Sequence, residues 1–268
     1  VSLNDYTGIM KSDDKLLQPA RLEKIKVLLE EKKTLKVSAL SQICEVSENT
    51  IRRDLIDLEQ MGYCYRTKGG ATLLEHPYDK TPFASRLAFH KENKQGIAKK
   101  AAELITGGST IILDSGTTAV ELAEELTTKE HITVITPSLA AADILAGIPG
   151  ISLILPGGIV NPLSRSLTGQ PAEHFFSTIH ADMLFLAVKA ISLEAGLGDH
   201  TMTETAVKQQ MIKVADKVIV LADHSKLGKT ALSKICTLDE VDMLITDDSA
   251  NREFTSRLEA IGITVISS

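Results

Sequence analysis

Two short stretches of this 268-residue chain hold side chains whose types and spacing suit the recognition of anions. In the first, Asn49, Thr50, Arg52 and Arg53 fall close together, and Arg66 and Lys68 follow further on. A guanidinium can bond both acceptors of guanine, an amide can pair with adenine, and hydroxyls and flanking cations suit phosphates. In the second, Asp114-Ser115-Gly116-Thr117-Thr118 joins an apolar run to a helical pattern. Such a turn presents backbone N–H groups, hydroxyls and the positive end of a helix, which together suit a phosphate. The plainer reading is that Ser115 or Thr117 only caps the helix. Neither G-x-x-x-x-G-K-[ST] nor G-x-G-x-x-G occurs, so no nucleotide or dinucleotide cofactor has its usual cradle.

Similar chemistry recurs after later apolar runs. Thr136-Pro137-Ser138 opens a helical stretch, Pro156-Gly157-Gly158 follows the next run, and Ala222-Asp223-His224-Ser225-Lys226-Leu227-Gly228 follows another. Lys226 could neutralise a phosphate and Asp223 could accept from sugar hydroxyls, although Lys226 taken alone reads as a surface lysine. Metal chemistry finds no support: Cys44, Cys64 and Cys236 are widely spaced with no C-x-x-C, and the seven histidines include no H-E-x-x-H. The cysteines read as reduced packing residues.

These residues need elements to position them. Residues 1–18 show no clear period. A helix carries Leu22, Ile25, Leu28 and Leu29 on one stripe; a second starts with Ser38 as its cap and carries Leu40 and Ile43; a third opens after Ser47 and stops at Gly62. On the third, Ile51, Leu55 and Leu58 share one side, and Asn49, Arg53 and Ile56 share the other. Asp54 sits nearer the apolar side and would orient an arginine. Tyr63, Tyr65 and Gly69-Gly70 then suggest a hairpin carrying Arg66 and Lys68. Together, residues 19–74 make a winged helix-turn-helix.

Residues 75–82, with two prolines among charged neighbours, read as a linker. A single helix is expected over 83–105, weakened by Gly96. Strands are then expected at 110–113, 132–136, 151–155, 183–188, 217–221, 243–246 and 263–266, separated by helices. That alternation predicts an α/β domain over 83–268 with a largely parallel, Rossmann-like sheet covered on both faces. Ligands of such sheets bind at the carboxyl ends of the strands.

Charge divides in the same way. Residues 15–72 carry 11 Lys and Arg against 8 Asp and Glu, a net of +3 within a chain of net −6, so a polyanion suits the front alone. With 43% hydrophobic and 24% charged residues and no spanning apolar run, the composition points to a soluble cytoplasmic protein without a membrane partner.

The run Val46-Ser47-Glu48-Asn49-Thr50-Ile51-Arg52-Arg53-Asp54-Leu55, followed by Leu58-Glu59, Gly62, Arg66 and Gly69-Gly70-Ala71, resembles the DNA-binding signature of the DeoR family of bacterial transcription regulators. The Asp114 to Thr118 loop, Gly157-Gly158 with Gly169 beyond, the Glu204-x-x-x-Lys208 pair and the D-x-S-K-x-G segment match, in order, the effector domain of that family. The resemblance implies a repressor of carbohydrate genes, released from operator DNA by a phosphorylated sugar. It also implies a rear domain similar in fold to ribose-5-phosphate isomerase, with a sugar-phosphate cleft but without implying catalysis; no enzyme activity and no cofactor are expected. It places Glu204 and Lys208 beside the cleft, although their i,i+4 spacing taken alone reads as a surface ion pair. Arg165 would be a second anion contact. Where the family tends to carry glycine after the fourth strand, this chain has Lys189, which either enters the cleft or points to solvent.

The expected partners are thus double-stranded operator DNA, a phosphorylated sugar effector and further copies of the chain in a dimer or tetramer. The rival from another class is a sugar-phosphate isomerase-like enzyme fused to a small DNA-binding domain, with Asp114, Glu204 or Asp223 as its base.

Overall fold

The computed structural model describes residues 17–60, 63–73 and 83–268. Residues 1–16, the helix stop at Gly62 and the linker at 75–82 lie outside the described residues. The chain divides into two compact units, one up to Ser85 and one from Arg86.

In the front unit α1 (Gln18–Lys32), α2 (Val37–Cys44) and α3 (Glu48–Gln60) enclose a core of Ile25, Leu29, Leu40, Ile51, Leu55 and Leu58, each at most 1% exposed. The apolar side of α3 faces this core as its spacing dictates, and Asn49 and Arg53 lie exposed on the other side. Ser47 caps α3, its Oγ accepting from Thr50 N–H at 3.2 Å. Ser38 does not cap α2: it lies within the helix, which starts at Val37 after Lys36 with no side-chain cap.

The expected hairpin is β2 (Cys64–Thr67) and β3 (Gly70–Leu73), and a third strand, β1 (Thr34–Lys36), pairs antiparallel with β3. Only Leu35 of β1 is buried, an alternation too short to read as a strand. Gly70 is required here, since a Cβ would lie 2.2 Å from the Leu35 carbonyl oxygen.

The helix expected over 83–105 is two helices, α4 (Phe83–Ala88), within which the division between the units falls, and α5 (Lys91–Glu103) of the rear unit. The break falls at His90, whose φ of 47° is left-handed, and Gly96 interrupts nothing. The rest of the unit is built on a wholly parallel sheet of order β15-β14-β12-β9-β4-β5-β6. Its strands are β4 (Thr110–Leu113), β5 (Ile132–Ile135), β6 (Ile151–Ile154), β9 (Ala181–Ala187), β12 (Ala215–Leu221), β14 (Met243–Thr246) and β15 (Thr264–Ser267). These are the seven expected strands, with ends shifted by a residue or two.

Successive side chains of the strands feed opposite faces. Ile111, Leu113 and Phe185 pack with α5, α6 (Thr117–Leu126) and α7 (Leu139–Leu145). Ile112, Leu184 and Leu186 pack with α8 (Gln170–Phe176), α9 (Met202–Lys213) and α10 (Arg252–Ala260). Two small antiparallel additions were not expected: the β7 (Ile159–Asn161) and β8 (Ser166–Thr168) hairpin, and a sheet of β10 (Ala190–Ser192), β11 (Gly196–Asp199) and β13 (Ser233–Cys236). All three cysteines are buried free thiols.

The strand order has a consequence for function. From β4 the chain steps outward to β5 and β6, then returns to place β9 on the other side of β4 and steps outward again. The order therefore reverses between β4 and β9, where the loops leave in opposite directions and open a crevice. The loop after β4 is residues 114–118, and the loop after β9 contains Lys189.

Candidate functional site

On the front unit the exposed side of α3 is an ordered set of polar groups. Arg52 donates to Asn49 Oδ1 at 3.0 Å and to Glu48 Oε2 at 2.6 Å, while Arg53 stands exposed one position on. Thr50 is half-buried, its hydroxyl 2.9 Å from that of Ser47. Lys68 is exposed in the β2–β3 turn. Arg66 is engaged with α3: its Nε and backbone N–H donate to the two oxygens of Glu59 at 2.7 and 2.8 Å. These bonds hold the Glu59 carboxyl below its ordinary range and fasten the wing to the helix. Asp54 does orient an arginine, and it is Arg21 of α1, through buried contacts of 2.5 and 2.9 Å.

In the rear unit Gly116 precedes α6, and no side chain caps the helix. The capping alternative for Ser115 and Thr117 therefore fails, and the first N–H groups of α6 have no side-chain cap. Gly116 has φ 136°, and a Cβ there would lie 3.0 Å from Ala187 of β9, so the two loops at the switch point approach closely. Asp114, Ser115 and Thr118 are buried and Thr117 is half-buried, which makes Thr117 the accessible hydroxyl of the loop.

Behind this loop lies a buried ion cluster. The Lys208 ammonium pairs with Asp114, donates to the Ala187 carbonyl at 2.9 Å and lies 3.7 Å from Asp199 Oδ2. Ala187 N–H returns a bond to Asp114 Oδ2 at 3.0 Å. Burial would lower the Lys208 pKa, but Asp114, Asp199 and Glu204 together hold it above the ordinary value. Burial pushes Asp114 up. Glu204 and Lys208 are thus not a surface pair: both are buried, and Glu204 is bonded to Asn161 and Ser166 through Oε1 and to Thr201 through Oε2. Burial would raise Glu204, yet Lys208, followed by Ser164, Lys189 and Thr201, keeps it lowered.

Lys189 is half-buried rather than directed to solvent, and its charge interacts with Arg86, Asp199, Glu204 and Lys226. Burial, reinforced by Arg86, depresses its pKa to about 8. Lys226 is also half-buried, 3.9 Å from Asp223. Asp223 caps the 3-10 turn His224–Lys226 by accepting from Ser225 N–H at 2.9 Å. Its burial is outweighed by Lys226, His90, Ser225 and Lys94, which hold it at about 2.

The other expected residues lie further from the switch point. Thr136 and Ser138 follow β5 and are fully buried; their hydroxyls accept from Ser138 N–H and Ala141 N–H, at 3.0 and 3.1 Å, and so serve local caps. Gly157 and Gly158 follow the edge strand β6; a Cβ on Gly158 would lie 2.7 Å from the Thr168 carbonyl oxygen, so that glycine admits the hairpin. Arg165 is exposed before β8 with a left-handed φ of 51°.

Three charged groups at the crevice escaped the sequence reading: Arg86, Lys94 and Asp199. Lys94 is 3% exposed and donates to the carbonyls of Arg86 and Leu87 at 2.6 and 3.3 Å. Burial lowers its pKa to about 8. Its signal was present, since Lys94 is in helical register with buried Ile97, Ala98 and Ala101. Arg86, also buried, donates to the Leu163 carbonyl at 2.6 Å. Asp199 ends β11, and its Oδ2 is buried with no hydrogen-bond donor among the described residues.

A trihelical unit with a small antiparallel wing, joined to a parallel sheet with a charged crevice, defines a two-domain transcription regulator. A family model described as the DeoR-like helix-turn-helix domain matches residues 21–76, and one described as the DeoR C terminal sensor domain matches residues 89–248. The chain belongs to the DeoR family of transcription regulators.

It is 39% identical to the HTH-type transcriptional regulator GolR of Listeria innocua, over 91% of this chain and 96% of the relative. It is 35% identical to the HTH-type transcriptional repressor GlcR of Bacillus subtilis, over 94% and 96%. Both relatives carry names of transcription regulators. Among solved structures, ribose 5-phosphate isomerase A of Methanocaldococcus jannaschii matches with a TM-score of 0.38 and 20% identity, over 51% of this chain and 54% of that one. Among the described residues, no helix is long and apolar enough to cross a membrane.

Proposed function

We propose that the protein is a repressor of genes of carbohydrate metabolism, that it binds operator DNA as a homo-oligomer, and that a phosphorylated sugar in the β4/β9 crevice releases it. Residues 19–74 read DNA, 83–268 hold the effector and 75–82 join the two. On α3, Arg53 and Asn49 contact base edges and Arg52 and Thr50 contact phosphate, with Lys68 and Arg66 adding wing contacts.

One observation carries the effector reading: the uncapped N-terminus of α6 and the ammoniums of Lys189, Lys208 and Lys226 converge on the one switch point of the sheet. A phosphoryl group on the residues 114–118 loop meets backbone N–H groups and Thr117. A sugar hydroxyl donating to Asp199 Oδ2 supplies the hydrogen bond that this buried oxygen, 3.7 Å from the Lys208 ammonium, lacks. The names of relatives support repression, since one 34% identical is a putative aga operon transcriptional repressor of Escherichia coli O157:H7.

Thermal unfolding of the pure protein with a panel of sugar phosphates tests the reading. A ligand at 100 times its Kd adds about 2.7 kcal/mol, or several degrees in Tm. Stabilisation by a sugar phosphate, absent with its unphosphorylated parent, is expected. A Tm unmoved across pentose, hexose and hexosamine phosphates contradicts it.

A further inference from the structure

The far edge of the parallel sheet carries an apolar surface that no function so far described uses. β6 is the last strand of this sheet and, among the described residues, pairs only with β5. The Ile154 carbonyl accepts from Thr136 N–H on the β5 side, so the alternation of the ladder turns the Leu153 N–H and C=O toward the open edge. Ile154 and Leu155 are 39% and 38% exposed, and Ile159, Val160 and Leu163 of the adjoining hairpin are 69%, 51% and 44% exposed. Chains usually guard an open edge strand by keeping it short or with lysine, proline within the strand or a bulge. β6 is short, at four residues, but its sequence, Ile-Ser-Leu-Ile, holds neither lysine nor proline.

The charge pattern identifies what fits this surface. From Ile144 to Ser164 there is no Asp, Glu, Lys or Arg, in a chain that is 24% charged. A nucleic acid would call for cations here, and an acidic or basic protein for the opposite sign. Around a two-fold axis every residue meets the same surface of its mate, so a charge near the axis faces its own copy. A surface built to face itself is therefore free of charge at its centre and apolar. Two copies of β6 related by such an axis run antiparallel, the geometry in which open edges pair.

We propose that the β6 edge and the β7–β8 hairpin, with Ile154, Leu155, Ile159, Val160 and Leu163, form a two-fold interface with a second copy of this chain. The proposal rests on the homo-oligomer in the functional reading and names its surface. The hairpin also lies against the crevice: Asn161 and Ser166 bond Glu204, and Leu163 accepts from Arg86. Each effector site thus adjoins the axis.

Sedimentation equilibrium on the full chain tests it, with the wild type beside I159K, I159E and their equimolar mixture. Ile159 is exposed, so an unchanged far-UV spectrum and Tm identify folded variants. Each variant alone is expected to lose one level of assembly, dimer to monomer or tetramer to dimer, and the mixture, which sets lysine against glutamate across the axis, is expected to recover it. Wild-type assembly retained by both variants overturns the surface while leaving the oligomer standing. A monomeric wild type overturns the oligomer itself.

Discussion

Lys94 Nζ donates to the Arg86 carbonyl at 2.6 Å, fastening α5 to the end of α4, and the same ammonium interacts with Asp223, Lys226 and Glu121 at the crevice. One buried cation is therefore shared between the proposed effector site and α4. An anion that draws Lys94 toward itself weakens its hold on the Arg86 and Leu87 carbonyls and frees α4 to shift. Differential binding to two arrangements is what moves such an equilibrium. Lys94→Met keeps the buried stem and removes the donor. Operator affinity without effector is expected to stay near that of wild type, while the loss of affinity caused by effector, ordinarily about 5- to 150-fold, is expected to shrink severalfold. Fluorescence anisotropy of an operator duplex measures both. Full release by the variant would show that the signal takes another route.

Lys94 and Lys189 share a second property with a pH signature. Both have an ordinary value of 10.5 and are held at about 8, chiefly by burial. Between about pH 8 and 10.5 the unfolded chain binds more protons at these groups than the folded one, so their contribution to stability improves as pH climbs through that window. A bound phosphate raises both pKa values again, since opposite charge favours the ammonium. Effector binding at pH 8.5 is therefore expected to take up protons, and affinity is expected to fall as pH rises past 8. Calorimetry in buffers of different ionisation enthalpy measures the uptake. A heat independent of buffer would place the anion away from both lysines.

On the front unit adjacent residues are expected to behave oppositely. Arg53 is exposed, and Arg53→Ala should leave unfolding unchanged while costing about 1–3 kcal/mol at the base it reads. Asp54 is 1% exposed and paired with buried Arg21. Asp54→Ala strands that guanidinium, which costs about 3–5 kcal/mol. Urea unfolding and affinity for a set of single-base operator variants separate the two. A uniform affinity loss for Arg53→Ala across that set would make it a phosphate contact.

The parts legible in the sequence were those whose pattern spans several residues. The seven parallel strands are near-continuous apolar runs, because both faces of the sheet are buried, and Ile51, Leu55 and Leu58 declare the inward side of α3 over more than one turn. Elements of three residues, such as β1, β7 and β10, carry too little alternation to be read. The break between α4 and α5 was illegible for another reason. It is held by His90 in a left-handed conformation and by a tertiary bond from Lys94, neither of which local propensity records. In the crevice, hydroxyl and glycine positions at strand ends were visible. The pairing of Lys208 with Asp114 was not, because Asp114 lies 94 residues away along the chain and meets it only through the sheet order.

The central claim is that one small anion in the β4/β9 crevice loosens the hold of the front unit on DNA. Titrating the complex of wild-type protein and operator duplex with sugar phosphates, and in parallel with Thr117→Val, which removes the accessible hydroxyl of the loop, tests it most directly. Release of the wild-type complex by a sugar phosphate, with the variant needing much more of the same compound yet binding DNA equally well, is the predicted result. Equal release of both complexes, or release by the unphosphorylated sugar, would contradict it.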